Sequence, residues 1–203
     1  MSVRETIIID SGGANVSSLL FAFERLGAPA RLSADPRDLE HAERAVLPGV
    51  GAAADAMARL VASGLDVALR GFRRPLLGIC LGMQLLFERS DEGDTETLGL
   101  IPGRVTRLVA APAHPVPHMG WNTFETVRAD PLLEGFGPDD WFYFVHGYHV
   151  AAEDGSPALL ARTCYGVPLA AAVRHGNLHG VQFHPERSGA AGARLLRNFL
   201  EIG

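Results

Sequence analysis

The chain is 203 residues long, 47% hydrophobic and 20% charged, which is long enough for one substantial core and too apolar for a disordered chain. Its 23 acidic residues outnumber 18 basic ones, for a net charge of −5, so no basic footprint for nucleic acid is implied. Every basic residue is arginine, which removes lysine Schiff-base chemistry, pyridoxal phosphate with it, and the P-loop lysine.

Thr6–Asp10 reads as a buried strand. It is too short for the apolar region of a signal peptide, and no run of about 18 apolar residues follows. A soluble, cytoplasmic chain is expected, away from membranes, with Cys80 and Cys164 reduced. Asn15–Leu26 reads as a helix with Val16, Leu19, Leu20 and Phe23 on one face and Gly27 as its stop. Ala30–Ser33 and Arg44–Leu47 read as strands. Ala54–Arg70 reads as one helix with Met57, Leu60, Val61, Leu65 and Leu69 as its apolar positions. Pro75–Ile79 is a strand pattern and Leu81–Glu88 a helical one, and Ser90–Leu98 is acidic enough to be a solvated loop. Arg104–Val109, Trp141–Val150, Ala158–Cys164, Leu169–Arg174 and Leu178–Phe183 are strand-like with no helix between them. Ala190–Ile202 closes the chain as a helix. The expected fold is α/β, a single domain over residues 1–203. Its central sheet is mostly parallel with helices on both faces, and the C-terminal half makes antiparallel additions to it.

The chemistry concentrates in two segments. In Gly78-Ile79-Cys80-Leu81-Gly82 a strand ends on a cysteine and a helix starts at once, the geometry of a nucleophile elbow. The helix N-terminus would favour the thiolate, the reactive form. Cys164 has no such frame. In His184-Pro185-Glu186 the proline forces His184 into an extended conformation, and the i, i+2 spacing in extended chain puts Glu186 beside the ring. Both segments belong at the carboxyl ends of strands, where active residues gather in parallel sheets. Leu47-Pro48-Gly49-Val50-Gly51 follows another strand and is a candidate oxyanion loop, with the Leu81 N–H as a second donor. His146 and His149 would fall on opposite faces of one strand, and no Cys or carboxylate set completes a tetrahedral site, so no metal is expected. His41, His114, His118 and His175 are expected on the surface or in loops.

Together these segments resemble the class I glutamine amidotransferases, which carry a Cys-His-Glu triad. Leu47–Gly51, Gly78–Phe87, Pro117–Asn122, Tyr143–Tyr148 and Val181–Ser188 are similar, within that class, to glutaminase subunits of imidazole glycerol phosphate synthases in histidine biosynthesis. The likeness runs from Thr6 to Phe199. It implies that glutamine is hydrolysed at Cys80, with His184 as base and acid and Glu186 as orienter. It implies backbone from Val50, Gly51 and Leu81 for the oxyanion and glutamine, and Gln84 at the substrate's α-amino and carboxylate end. Gly147 and Tyr148 would accept the substrate ammonium, and Asn15, Met119 and Trp121 would face a partner. That partner is a separate (β/α)₈ cyclase subunit in a one-to-one heterodimer. There the ammonia converts the ribulosyl aminoimidazole carboxamide nucleotide PRFAR to imidazole glycerol phosphate and AICAR. No cofactor is implied.

Three other readings compete. One is the subunit of another class I amidotransferase such as anthranilate synthase, against which Pro117–Asn122 argues. Another is a peptidase or γ-glutamyl hydrolase, which needs no partner. The third is a non-catalytic binding protein, which would need none of Cys80, His184 and Glu186.

Overall fold

The computed structural model describes residues 5–11, 16–153 and 155–203. The first half runs β1 (Thr6–Ile9), α1 (Val16–Arg25), β2 (Ala30–Ser33), α2 (Asp38–His41), β3 (Arg44–Gly49), α3 (Ala53–Ser63), α4 (Leu65–Gly71), β4 (Leu76–Cys80) and α5 (Leu81–Gln84). Short strands follow, β5 (Arg89–Ser90), β6 (Thr95–Glu96), β7 (Arg104–Arg107), β8 (His118–Asn122) and β9 (Glu125–Thr126). The chain ends with β10 (Phe142–His146), β11 (Tyr148–Val150), β12 (Leu159–Tyr165), β13 (Val167–His175), β14 (Leu178–Val181) and α6 (Gly189–Glu201).

One eight-stranded sheet, in the order β2-β1-β3-β4-β14-β13-β12-β9, is the frame. Its first five strands are parallel and its last three antiparallel; the antiparallel additions expected of the C-terminal half are present in β13 and β12 but not in β14. The side-chain alternation of β1 explains the two-faced core. Ile7 and Ile9 pack with Met57, Leu60, Leu65 and Leu69 of α3 and α4. Ile8 packs with Leu19 and Phe23 of α1 and with Leu195, Leu196 and Phe199 of α6. Each face buries an apolar stripe that no single helix could cover alone.

The structure corrects several expectations. The Ala54–Arg70 helix is two helices, broken at Gly64, whose φ of 75° an L side chain rarely adopts. Val61, expected on the apolar face, is 58% exposed. The Leu81–Glu88 helix is only the single turn α5. Trp141–Val150 is two strands separated at Gly147. β10 pairs antiparallel with β8 in a two-stranded ribbon, and β11 pairs with β7 in a four-stranded sheet, so neither extends the main sheet. Arg104–Val109 lies in that same small sheet. The terminal strand β14 is not antiparallel to β4 but parallel, inserted at the middle of the main sheet. Ser90–Leu98 is no plain solvated loop, since Ser90, Thr97 and Leu98 are buried. His118 is buried in β8, whereas His41 and His175 are exposed. No helix among the described residues is long and apolar enough to cross a membrane.

Candidate active site

The site grows from three adjacent strands, β3, β4 and β14, which end side by side. Gly49 lies opposite Cys80 in the β3–β4 register. Cys80 is the last residue of β4 and carries a φ of 54° with a ψ of −113°, a strained backbone for a residue with a Cβ. The strain is the mark of a sharp strand-to-helix turn that holds the side chain out at the sheet edge. The turn leaves no space at its small residues. A Cβ on Gly82 would stand 1.8 Å from the Leu47 carbonyl oxygen, and one on Gly78 would stand 2.7 Å from the Met83 backbone. Gly82→Ala is therefore expected to lower the thermal midpoint by about 10 °C, read in a melting curve, because rigid backbone cannot yield to the added methyl.

The base comes from the segment after β14. His184 is extended, with φ −101° and ψ 99°, and Pro185–Arg187 then forms a 3₁₀ turn. That turn brings Glu186 Oε1 to 2.8 Å from His184 Nδ1. The pairing expected from an extended chain is present, but a turn makes it. The first turns of α6 hold this segment closely: a Cβ on Gly192 would meet the Pro185 carbonyl oxygen at 1.8 Å. Ser188 Oγ donates to the His184 carbonyl at 2.7 Å and accepts from Tyr143 N at 3.0 Å.

Strand β10 spans nucleophile and base. Its Tyr143 carbonyl accepts from His184 N at 2.9 Å. Its Val145 carbonyl accepts from Cys80 Sγ at 3.7 Å, and Gln182 Nε2 donates to the same sulfur at 3.7 Å. His184 Nε2 is buried and makes no hydrogen bond among the described residues. Burial opposes a charge on His184, but the neighbouring Cys80 sulfur and the Glu186 carboxylate outweigh it and raise the pKa to about 10. Glu186 acts through its hydrogen bond. The Cys80 sulfur, the larger contributor, acts through its closeness to the ring.

Cys80, His184, Glu186, Val50, Gly51, Leu81, Gln84, Gly147 and Tyr148 all line one cavity of about 340 Å³, a volume suited to a small ligand. Asn15 lies outside the described residues. Met119 and Trp121 are not in the cavity: they stand on β8, 63% and 54% exposed. Trp121 meets the Tyr143 ring edge-on at 5.9 Å, and the Arg187 guanidinium sits 4.5 Å over that ring. Cys164 is exposed and does not line the cavity, whereas Cys80 does.

Several details differ from expectation. Gln84 Nε2 is not free for a ligand, since it donates to the Tyr148 carbonyl at 2.8 Å and to Gln182 Oε1 at 2.9 Å. The Tyr148 carbonyl also faces His146 Nδ1 at 2.8 Å, so both its lone pairs are engaged within the protein. The Gly147 carbonyl accepts from Leu108 N at 2.9 Å. The sequence reading missed Gln182, and it missed Glu92, which lines the cavity while one carboxylate oxygen accepts from Ala53 N at 2.7 Å. It also missed how Ser11 serves the loop: its hydroxyl donates to the Pro48 carbonyl at 3.1 Å. Glu92 had a weak signal, an acid 12 residues beyond the nucleophile, whereas Gln182 and Ser11 had none. Among the described residues no group of three or more His, Cys, Asp or Glu could hold a metal ion.

The model of the family "Glutamine amidotransferase class-I" matches residues 7–202. The chain belongs to the class-I glutamine amidotransferase family. Within the family it is 52% identical over 200 residues to "Imidazole glycerol phosphate synthase subunit HisH" of Xylella fastidiosa strain Temecula1, covering 98% of each chain. It is 50% identical, with the same coverage, to the protein of that name from Xanthomonas axonopodis pv. citri. Among solved structures, a crystal structure of a glutamine amidotransferase superposes with a TM-score of 0.73 at 22% identity, covering 97% of each chain. At that identity the likeness shows the amidotransferase fold alone.

Proposed function

We propose that this class-I amidotransferase is the glutaminase subunit of an imidazole glycerol phosphate synthase, in a one-to-one complex with a cyclase subunit. The observation that carries the chemistry is a single cavity holding a strained strand-end cysteine beside a buried His184–Glu186 pair. In the proposed reaction the Cys80 thiolate attacks the carboxamide carbon of glutamine. The oxyanion is met by the Leu81 N–H and by the loop at Val50 and Gly51. Protonated His184, held by Glu186, gives its Nε2 proton to the leaving nitrogen, and ammonia departs from a γ-glutamyl thioester. Water then attacks the thioester, His184 takes its proton, and glutamate is released with the thiolate restored. Glu92 is the acidic lining residue besides Glu186 and is the candidate partner of the substrate ammonium.

Met119 and Trp121 support the second half of the reading, since two large apolar side chains exposed on one strand suit a partner surface. Ammonia made without an acceptor is wasted, so turnover in the isolated chain should be slow. The proposed gate is the peptide between Gly49 and Val50, whose rotation would bring an N–H into the oxyanion position. One such donor is worth about 10²–10³ in kcat.

The test is a glutaminase assay in the absence and presence of the cyclase subunit with its nucleotide. The expected result is at least about a hundredfold stimulation, mainly in kcat. Val50→Pro, which lacks the N–H, should lose the stimulation while Cys80 remains open to alkylation. A fully active isolated chain would favour a stand-alone hydrolase instead.

A further inference from the structure

The cavity wall at Val145–Tyr148 is held by two histidines that the chemistry does not use. In the β8–β10 ribbon, His118 lies directly opposite His146. His118 Nδ1 and His146 Nε2 are 3.1 Å apart, and both rings are buried. The tautomers follow from the far end of the chain. A carbonyl can only accept, so His146 Nδ1, 2.8 Å from the Tyr148 carbonyl, carries the hydrogen. His146 Nε2 is then a lone pair, and it accepts from His118 Nδ1–H. A proton added to His146 Nε2 would face the His118 Nδ1–H and break the chain, so this arrangement requires a neutral His146, and the buried, ring-stacked setting of His118 disfavours a charge there too. Burial agrees, pushing His118 down to about 4 and His146 down to about 3. His118 is clamped between the faces of Tyr165, at 3.9 Å, and Phe144, at 4.9 Å. The next residues of the two strands pair Met119 with Val145, whose carbonyl lies on the Cys80 sulfur.

We propose that His118 and His146 form a neutral hydrogen-bonded pair of positioning residues that fixes the Val145–Tyr148 wall against Cys80 and ties it to strand β8. The proposal rests on reading the cavity as the glutamine site. Neither ring exchanges a proton with substrate. The pair sets where two carbonyls of the wall sit, and it makes that setting depend on the strand whose outer face carries Met119 and Trp121.

Two measurements test it. Nitrogen-15 NMR of the histidine rings at neutral pH should show His118 and His146 both protonated at Nδ1 and unprotonated at Nε2, a tautomer unlike that of free histidine. A His146 ring protonated at Nε2, or a cationic ring in either residue, would overturn the pair. In kinetics with the partner present, His118→Phe keeps the stacked ring and removes the donor, whereas His118→Asn places an amide N–H where Nδ1 stood. His118→Phe should lose about tenfold, mainly in kcat for glutamine, as expected for an unmet buried acceptor beside the sulfur. His118→Asn should recover to within about threefold of wild type. Equal loss in both variants, or wild-type kcat in His118→Phe, would show that the ring only fills space. If His118→Phe does not fold, the Asn variant and the ring spectra decide the matter. Absence of glutamine turnover in the wild-type complex would instead sink the functional reading, and the spectra would still test the pair.

Discussion

Replacing Cys80 with serine is expected to lower glutamine turnover by at least about 10⁴-fold while the complex still accepts added ammonium salts. The size follows from losing the atom that forms the covalent intermediate: serine's hydroxyl is far less ionised than a thiol, and the remaining groups supply only oxyanion stabilisation and binding. Ammonia-dependent synthesis is expected to survive because the cyclisation takes place on the other subunit. The two assays, run on the same preparation, separate a lost nucleophile from a misfolded chain. A glutamine-like chloroketone should label Cys80, which lines the cavity, and spare Cys164, although Cys164 is the more exposed thiol. Labelling confined to Cys164 would overturn the assignment.

His184→Asn should cost about 10²–10⁴-fold in glutamine turnover, the range for loss of a general acid–base group. Glu186→Gln should cost less, because the imidazole and the oxyanion donors remain. A stability signature accompanies the first variant. The folded pKa of His184 is raised above its unfolded value of about 6.5 to about 10. The pair's contribution to stability is therefore full below about pH 6.5 and is lost as pH rises through about 10. The stability difference between wild type and His184→Asn should shrink across that window in denaturant titrations at stepped pH. Near-normal turnover in His184→Asn would mean that another group serves as base.

The parts of the fold legible in the sequence were those whose cause is local. The elbow could be read because a tight turn admits only small residues two before and two after Cys80, and Gly78 and Gly82 stand there. The parallel half could be read because β1, β3 and β4 are apolar runs set between helical patterns. Strand β8 was invisible for a physical reason: its alternation is inverted. His118 points inward while Met119 and Trp121 point out, so a hydrophobicity rule sees no buried face. The break at Gly64 was missed because one glycine inside a helical pattern costs only about 1 kcal/mol, too little to choose between a continuous helix and a kink. The Gln84–Gln182 contact joins residues far apart in the chain, and no local pattern announces it. His184 and Glu186 were paired correctly for the wrong reason, since a 3₁₀ turn and an extended chain can both bring i and i+2 together.

Strand β10 works as a ruler. Its carbonyls at Tyr143 and Val145 are two residues apart and so point the same way, about 6.8 Å from one to the next. One grips the backbone of the base and the other touches the nucleophile. The separation of the His184 backbone from the Cys80 sulfur is thereby tied to the repeat length of extended polypeptide, a quantity that no side-chain substitution on β10 alters. A slip of the strand by one residue would present the Phe144 carbonyl, which faces the opposite way, and both contacts would vanish together. A slip by two would restore the spacing and keep each side chain on its face, but it would move Phe142 and Phe144 out of register with their core partners. Insertions between β8 and β10 are thus tolerable only where they leave the ribbon's alignment intact, and the exposed turn at residues 137–139, away from β9 and the buried Leu132 and Leu133, is where chain length can vary with least disturbance to the chemistry.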